Sequence, residues 1–296
     1  MVKHSLAAVA ILACLAPTRA DADPAKAWAA AKAHLSGAAA VVGGANVGEL
    51  GKSSIVKMAL SLAAPDAKKK LDQLQRVCRI DAWKTVEAFA WGSDKDFDEG
   101  VVFVAVKGLD QAKVSACVED LVKDDGDAAA TVSVTSDGAI TALSTGKHTY
   151  HLMWIGKDVV ALSLDPSDKA QLARWTPKKG ALARSKLGKL AAKTNTRATV
   201  WAATTDVNDY DGAKISATYG SLSLRGGNVA VDIHAAFDDA AKAKEAADKL
   251  GAQLAGSADL KSIADRISIK PAASELVVKA NVTESEVMQA AGSLRP

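Results

Sequence analysis

Two stretches of this chain align without a gap: Asp158 to Ala173, DVVALSLDPSDKAQLA, and Leu276 to Ala291, LVVKANVTESEVMQAA. Val159-Val160 falls on Val277-Val278, Asp165 on Thr283, Ser167 on Ser285, Asp168 on Glu286 and Gln171 on Gln289. Each reads as a short apolar strand running into a helix. Asp165 and Thr283 suit the N-cap, because their side-chain oxygens accept the amides that open a helix, and Asp168 and Glu286 stand where a capping box places its carboxylate. Pro166 suits a first helical position. The match predicts a strand–helix unit used twice, once at the end of each half.

The elements before it recur in a similar order. Ala25 to Leu35 is helical, with Trp28 and Leu35 on one stripe, and Ala38 to Val42 is a strand; Leu187 to Lys193 and Arg197 to Ala203 are their counterparts. Two strands and a helix follow in each half: Val86 to Trp91, Gly100 to Val106 and Leu109 to Val122, then Ile215 to Leu224, Asn228 to Phe237 and Asp238 to Leu254. The strands alternate apolar and small or polar residues, the period of a half-buried sheet. The first half adds helical material from Ser53 to Val77, interrupted at Pro65, and a hairpin of Thr131 to Thr135 with Ala139 to Ser144 around Asp137-Gly138. His148 to Ile155 and Val159 to Leu164 form a further hairpin, where the second half has Ile267 to Ile269 and Leu276 to Val282.

Tight turns between neighbouring strands imply antiparallel pairing. The expected class is α+β: two tandem pseudo-repeats, residues 23–175 and 187–296, each a mainly antiparallel sheet with amphipathic helices packed on one face. A breaker cluster from Thr176 to Gly180 opens a linker, residues 176–186. Two sheets or one long shared sheet are both open.

Residues 1–22 read as a secretory signal. Lys3 and His4 form the n-region, Leu6 to Leu15 the apolar core, and Ala20 or Ala22 the cleavage site. A bilayer span needs about 20 apolar residues, and this run is shorter. The expected location is periplasmic or secreted. Ile11-Leu12-Ala13-Cys14 is a loose lipobox, so lipid anchoring through Cys14 is the alternative. An ordinary signal peptidase would leave two cysteines, Cys78 and Cys117, which an oxidising compartment favours as a disulfide.

Formal charge is only +3, which argues against nucleic acid, whose phosphates need a concentrated basic face. Lys68-Lys69-Lys70 is the one compact basic run and reads as a solvated helix face. Val41-Val42-Gly43-Gly44 to Gly51-Lys52-Ser53 superficially suggests a phosphate loop, but Asn46 stands where that motif needs glycine; a Gly-rich strand-to-helix turn is the expectation. Asp94, Asp96 and Asp98 alternate as at the start of a calcium loop, yet Glu99 and Ala105 occupy the places of the required Gly and closing Glu. They are a weak calcium candidate, in a turn expected to be solvated. His148 and His151, three apart on a strand, point to opposite faces, and His34 and His234 look isolated. No G-x-S-x-G elbow is present, although a triad gathered from distant residues is left open. The six tryptophans are scattered and read as core packing.

No catalytic, cofactor or metal residues are therefore assigned. The expected role is an exported, non-catalytic binding or structural module of the cell envelope. A periplasmic carrier of an apolar ligand such as lipid is the alternative, and an exported hydrolase the third. A large apolar pocket would favour the carrier.

Overall fold

A computed structural model describes residues 25–63, 65–126, 132–145, 148–206, 208–210, 213–257 and 260–293. The expected leader, with Cys14, lies outside the described residues. The fold is α+β, and the described strands form one 13-stranded sheet. From the first half β1 (Val41–Asn46), β2 (Val86–Ser93), β3 (Gly100–Val106), β7 (Val159–Ser163), β6 (Thr149–Ile155), β5 (Ile140–Ser144) and β4 (Ser133–Asp137) run outward. From the second, β8 (Val200–Thr204), β10 (Ala213–Arg225), β11 (Asn228–Phe237), β13 (Glu275–Thr283) and β12 (Ile267–Ala272) run the other way. β9 (Asn208–Tyr210) pairs with β10 alone, and β1 pairs with β8 to join the halves. All these pairings are antiparallel.

The matched stretches supply β7 and β13, each the fourth strand outward from the β1–β8 joint. The correspondence of order does not extend to the caps. α10 (Glu284–Ser293) opens with the expected box: Thr283 Oγ1 accepts from the Glu286 amide at 3.2 Å, and Glu286 accepts from the Thr283 amide at 2.8 Å. α7 (Lys169–Trp175) starts later than expected, and its N-cap is Asp168, which accepts from the Gln171 amide. Asp165 instead accepts from the Ser167 amide in a local turn. A turn closed by the Asp168 amide on the Asp165 carbonyl at 3.1 Å precedes the helix, and Pro166 lies in it, its carbonyl taken by the His151 amide of β6. Superposition of the halves as repeats remains an expectation.

Helices lie on both faces of the first half, which corrects the expectation of one. Val101, Phe103 and Ala105 of β3 pack with α1 (Ala25–His34), α7 and α8 (Lys186–Ala191). Val104 and Val106, whose side chains point the other way, pack with α4 (Pro65–Cys78) and α6 (Gln111–Asp124). A strand buried on both faces needs a continuous apolar run, and Val101 to Val106 is one.

Gly43 and Gly44 lie inside β1, not in a turn after it, so the Gly-rich segment is no loop. A Cβ at Gly43 would sit 2.2 Å from the Trp91 ring, and one at Gly44 2.6 Å from the Trp201 ring. Successive residues of a strand face opposite sides, so each glycine makes room for an indole on a different face of the sheet.

The helical insert of the first half covers strands of the second. Ile55 and Val56 of α3 (Ser54–Ala63) pack with Leu224, Val229 and Val282. Glu284, buried at the start of α10, accepts the Ser54 amide at 3.0 Å and the Ser54 hydroxyl. These bonds from Ser54, with the Ser53 hydroxyl, hold the Glu284 carboxyl below its usual range. A depressed folded pKa contributes stability that is present above the unfolded pKa and lost as pH falls through the folded one. Glu284→Gln is therefore expected to melt below the parent at neutral pH. The gap should begin to close below about pH 4.5 in thermal melts taken across the acid range.

Candidate functional site

On one face of the second half, two groups of helices leave a strip of sheet between them. α9 (Ala240–Gly256) lays Ala243, Ala246 and Ala247 over Phe237 and Leu276 at one end of the strands. Asp239 caps it by accepting the Lys242 amide. At the other end α3 and α10 cover Leu224, Val229 and Val282. Ala202, Gly220 and Ile233 are directly paired across β8, β10 and β11 in the row between. Directly paired residues share a face, so a hydrogen and a methyl group form the floor where larger side chains flank it. Val41, Thr204 and Thr218 stand on one side; Val200, Leu222 and Val231 stand on the other.

The result is an open furrow of about 290 Å³ with no charged residue in its lining. Ile233 closes the row on β11 and is 41% exposed. Toward β1 the row continues to Gly43, over which the Trp91 indole lies. The Thr204 hydroxyl is spent on the chain itself, donating to the Ala40 carbonyl at 3.1 Å and accepting from the Asp206 amide at 3.0 Å. Apolar lining with few free polar groups is the usual character of a small-molecule site.

The opposite face buries Trp201 and Ala203 of β8 in the core and carries a polar cluster on β10, β11 and β13. Tyr219 and His234 stack with centroids 4.6 Å apart. His234 Nδ1 lies 3.2 Å from Glu275 Oε2 and Nε2 lies 3.0 Å from Asp232 Oδ1, while the Tyr219 hydroxyl donates to Glu275 at 2.9 Å. Lys193 and Lys279 pair with Glu275 and Asp232. Burial, and then the Glu275 hydrogen bond, push the Tyr219 phenol up to about 12. Burial alone would raise Glu275, but Tyr219, His234 and Lys193 together hold it below its usual range. With both ring nitrogens against carboxylates, His234 has no nitrogen open to a substrate. This gathering corrects the expectation that His234 is isolated; the Asp232-x-His234 spacing on one strand face was its visible signal.

The calcium candidates do not converge. Asp94 spends both oxygens on its own hairpin, accepting the Asp98 amide at 3.0 Å and the Glu99 amide at 3.3 Å. Asp96 faces Lys95, and Glu99 turns to Arg174 and the Trp175 indole. No cluster of three metal-ligating side chains occurs among the described residues. His151 sits on β6 with Nδ1 buried and unbonded, and burial pushes its imidazole down.

Cys78 and Cys117 are joined, with Cα atoms 5.2 Å apart, and tie the end of α4 to α6. Beside them the Arg76 guanidinium grips Asp124 through two hydrogen bonds of 2.7 and 2.6 Å.

No family model and no curated protein matches the chain. Among solved structures, three crystal forms of TP0453 are similar in fold, each with a TM-score of 0.49 and sequence identities of 10%, 12% and 11%. The first two matches cover 93% and 94% of this chain and 100% and 99% of theirs. No described helix is long and apolar enough to cross a membrane.

Proposed function

We propose that this protein is an exported, non-catalytic binding module of the cell envelope, and that its ligand is apolar. The observation that carries this reading is the furrow over Ala202 and Gly220, an uncharged apolar recess on a sheet face otherwise covered by helices. Burying a methylene group there stabilises a complex by about 0.8 kcal/mol, while the strands that form the floor need no rearrangement. The leader at residues 1–22 supports export.

The test is a fluorescence titration with 1-anilinonaphthalene-8-sulfonate on the parent and on Ala202→Glu. Ala202 is exposed in the middle of β8, so a carboxylate there enters the furrow without entering the core. Binding should weaken by more than about tenfold, because the probe must then desolvate a charge. Equal binding by both proteins would remove the furrow as the site. Native mass spectrometry of protein from its own host should also show a retained lipid-like mass.

A further inference from the structure

A second recess lies in the first half, apart from the furrow. We infer that it binds a small organic anion, an acid whose apolar body rests on the sheet and whose carboxylate meets Lys178 and His34. The floor comes from β5 and β6. Met153 and Ile155 stand two apart on β6 and so share a face, and Ile140 is paired directly with Met153 across the strands. Ile140 and Ile155 are only partly buried, at the margin of the core that holds Phe103. Ala173 of α7, the segment from Thr176 to Lys178 and His34 at the end of α1 line the rest. The cleft measures about 540 Å³, ample for a small molecule.

Charge selects the ligand. The chain after α7 is fastened to the last turn of α1: the Gly180 amide donates to the Ala33 carbonyl at 2.9 Å, and the Ala181 amide to the Leu35 carbonyl at 3.1 Å. These bonds bring Lys178 to the same end of the cleft as His34. They also occupy helix-end carbonyls that would otherwise repel an anion. Neither the Lys178 nor the His34 side chain has a hydrogen-bond or ion-pair partner among the described residues. The acids, by contrast, are neutralised. Asp137, which also lines the cleft, pairs with Lys169 at 2.5 Å, and Asp158, two residues beyond Gly156 at its edge, pairs with Lys26 at 2.9 Å. The Thr176 hydroxyl is spent on the Leu172 carbonyl. An apolar floor, an ammonium and an imidazole are left for a ligand, which fits a monoanion with an apolar body and fits neither a bare ion nor a hydrocarbon.

Isothermal titration calorimetry of the full chain with 4-phenylbutyrate tests this, beside 4-phenylbutanol and 4-phenylbutylamine, which keep the body and change the head. The acid should bind one to one with a Kd of about 1 mM or below, and the alcohol and the amine about tenfold more weakly. Lys178→Glu should weaken binding of the acid by about tenfold or more, and Ala173→Glu, which sets a carboxylate on α7 inside the cleft, by a similar factor. Both positions are exposed, so the fold survives. His34→Ala should weaken it by about fivefold. Ala202→Glu, in the furrow, should leave the affinity for the acid unchanged. Equal binding of the three compounds, no binding of the acid up to about 10 mM, or binding unmoved by both Lys178→Glu and Ala173→Glu would overturn the inference. The reading of the furrow is decided separately, by the fluorescent titration of Ala202→Glu. Saturating 4-phenylbutyrate in that titration fills the cleft and leaves the furrow to report alone.

Discussion

Removing the Cys78–Cys117 bridge is expected to destabilise the protein by about 4 kcal/mol, because the bond closes a loop of 39 residues that the unfolded chain would otherwise explore freely. For a chain of this size that is on the order of 10 °C in melting temperature. The loss should be felt first at α4, which is held to α6 by the bridge and, at the surface, by the Arg76–Asp124 pair. The measurement has two parts. Intact mass of protein purified from its own host, alkylated under denaturing conditions with and without reductant, reports whether the bond forms. Thermal melts of the parent and of Cys78→Ala/Cys117→Ala report its effect. Two free thiols in the unreduced, unfolded sample would show that the bond is not made in the cell, and equal melts would show that the loop was already constrained.

A comparable loss is expected from Trp201→Ala, about 3–5 kcal/mol for deleting a buried indole. Trp201 is 3% exposed, meets Trp28 edge-on at 4.7 Å, and lies over Gly44 at the joint of the two halves. Gly44→Ala should cost about 1–3 kcal/mol by pushing that ring out of place. The two losses should not add: once the indole is gone, the new methyl group occupies vacated space. A double-mutant cycle by urea denaturation should therefore show coupling of more than about 1 kcal/mol. Strict additivity would mean that Gly44 is present for some reason other than the ring above it.

Both results turn on features of differing legibility. The cysteine pair was readable because, with the expected leader and its Cys14 set aside, an even count leaves one pairing, and because the apolar stripes of the two helices could be drawn through Cys78 and Cys117. The role of Gly43-Gly44 was not. Their spacing to Gly51-Lys52-Ser53 suggested a loop, and nothing local reveals that two tryptophans more than 40 and 150 residues away lie over them. Asp94 illustrates the same limit at short range: alternating carboxylates look alike whether they face a cation or their own backbone amides.

The sequence by itself determined the class of the fold, most element boundaries, the antiparallel pairing of neighbours and the disulfide partners. Each of these depends on periodicity, turn chemistry or count, which are properties of residues close together along the chain. The tertiary structure alone decided that β1 and β8 fuse two runs of strands into one sheet, and that helices cover both faces of the first half. It also decided that α3 crosses to cap the second half through Glu284. The furrow belongs to this second group. Ala202, Gly220 and Ile233 are unremarkable singly, and they become a recess only when cross-strand register sets them in one row between helices that cover the strand ends and stop short of the middle. Register across strands far apart in sequence is chosen by the packing of the whole sheet, so no local pattern could carry it.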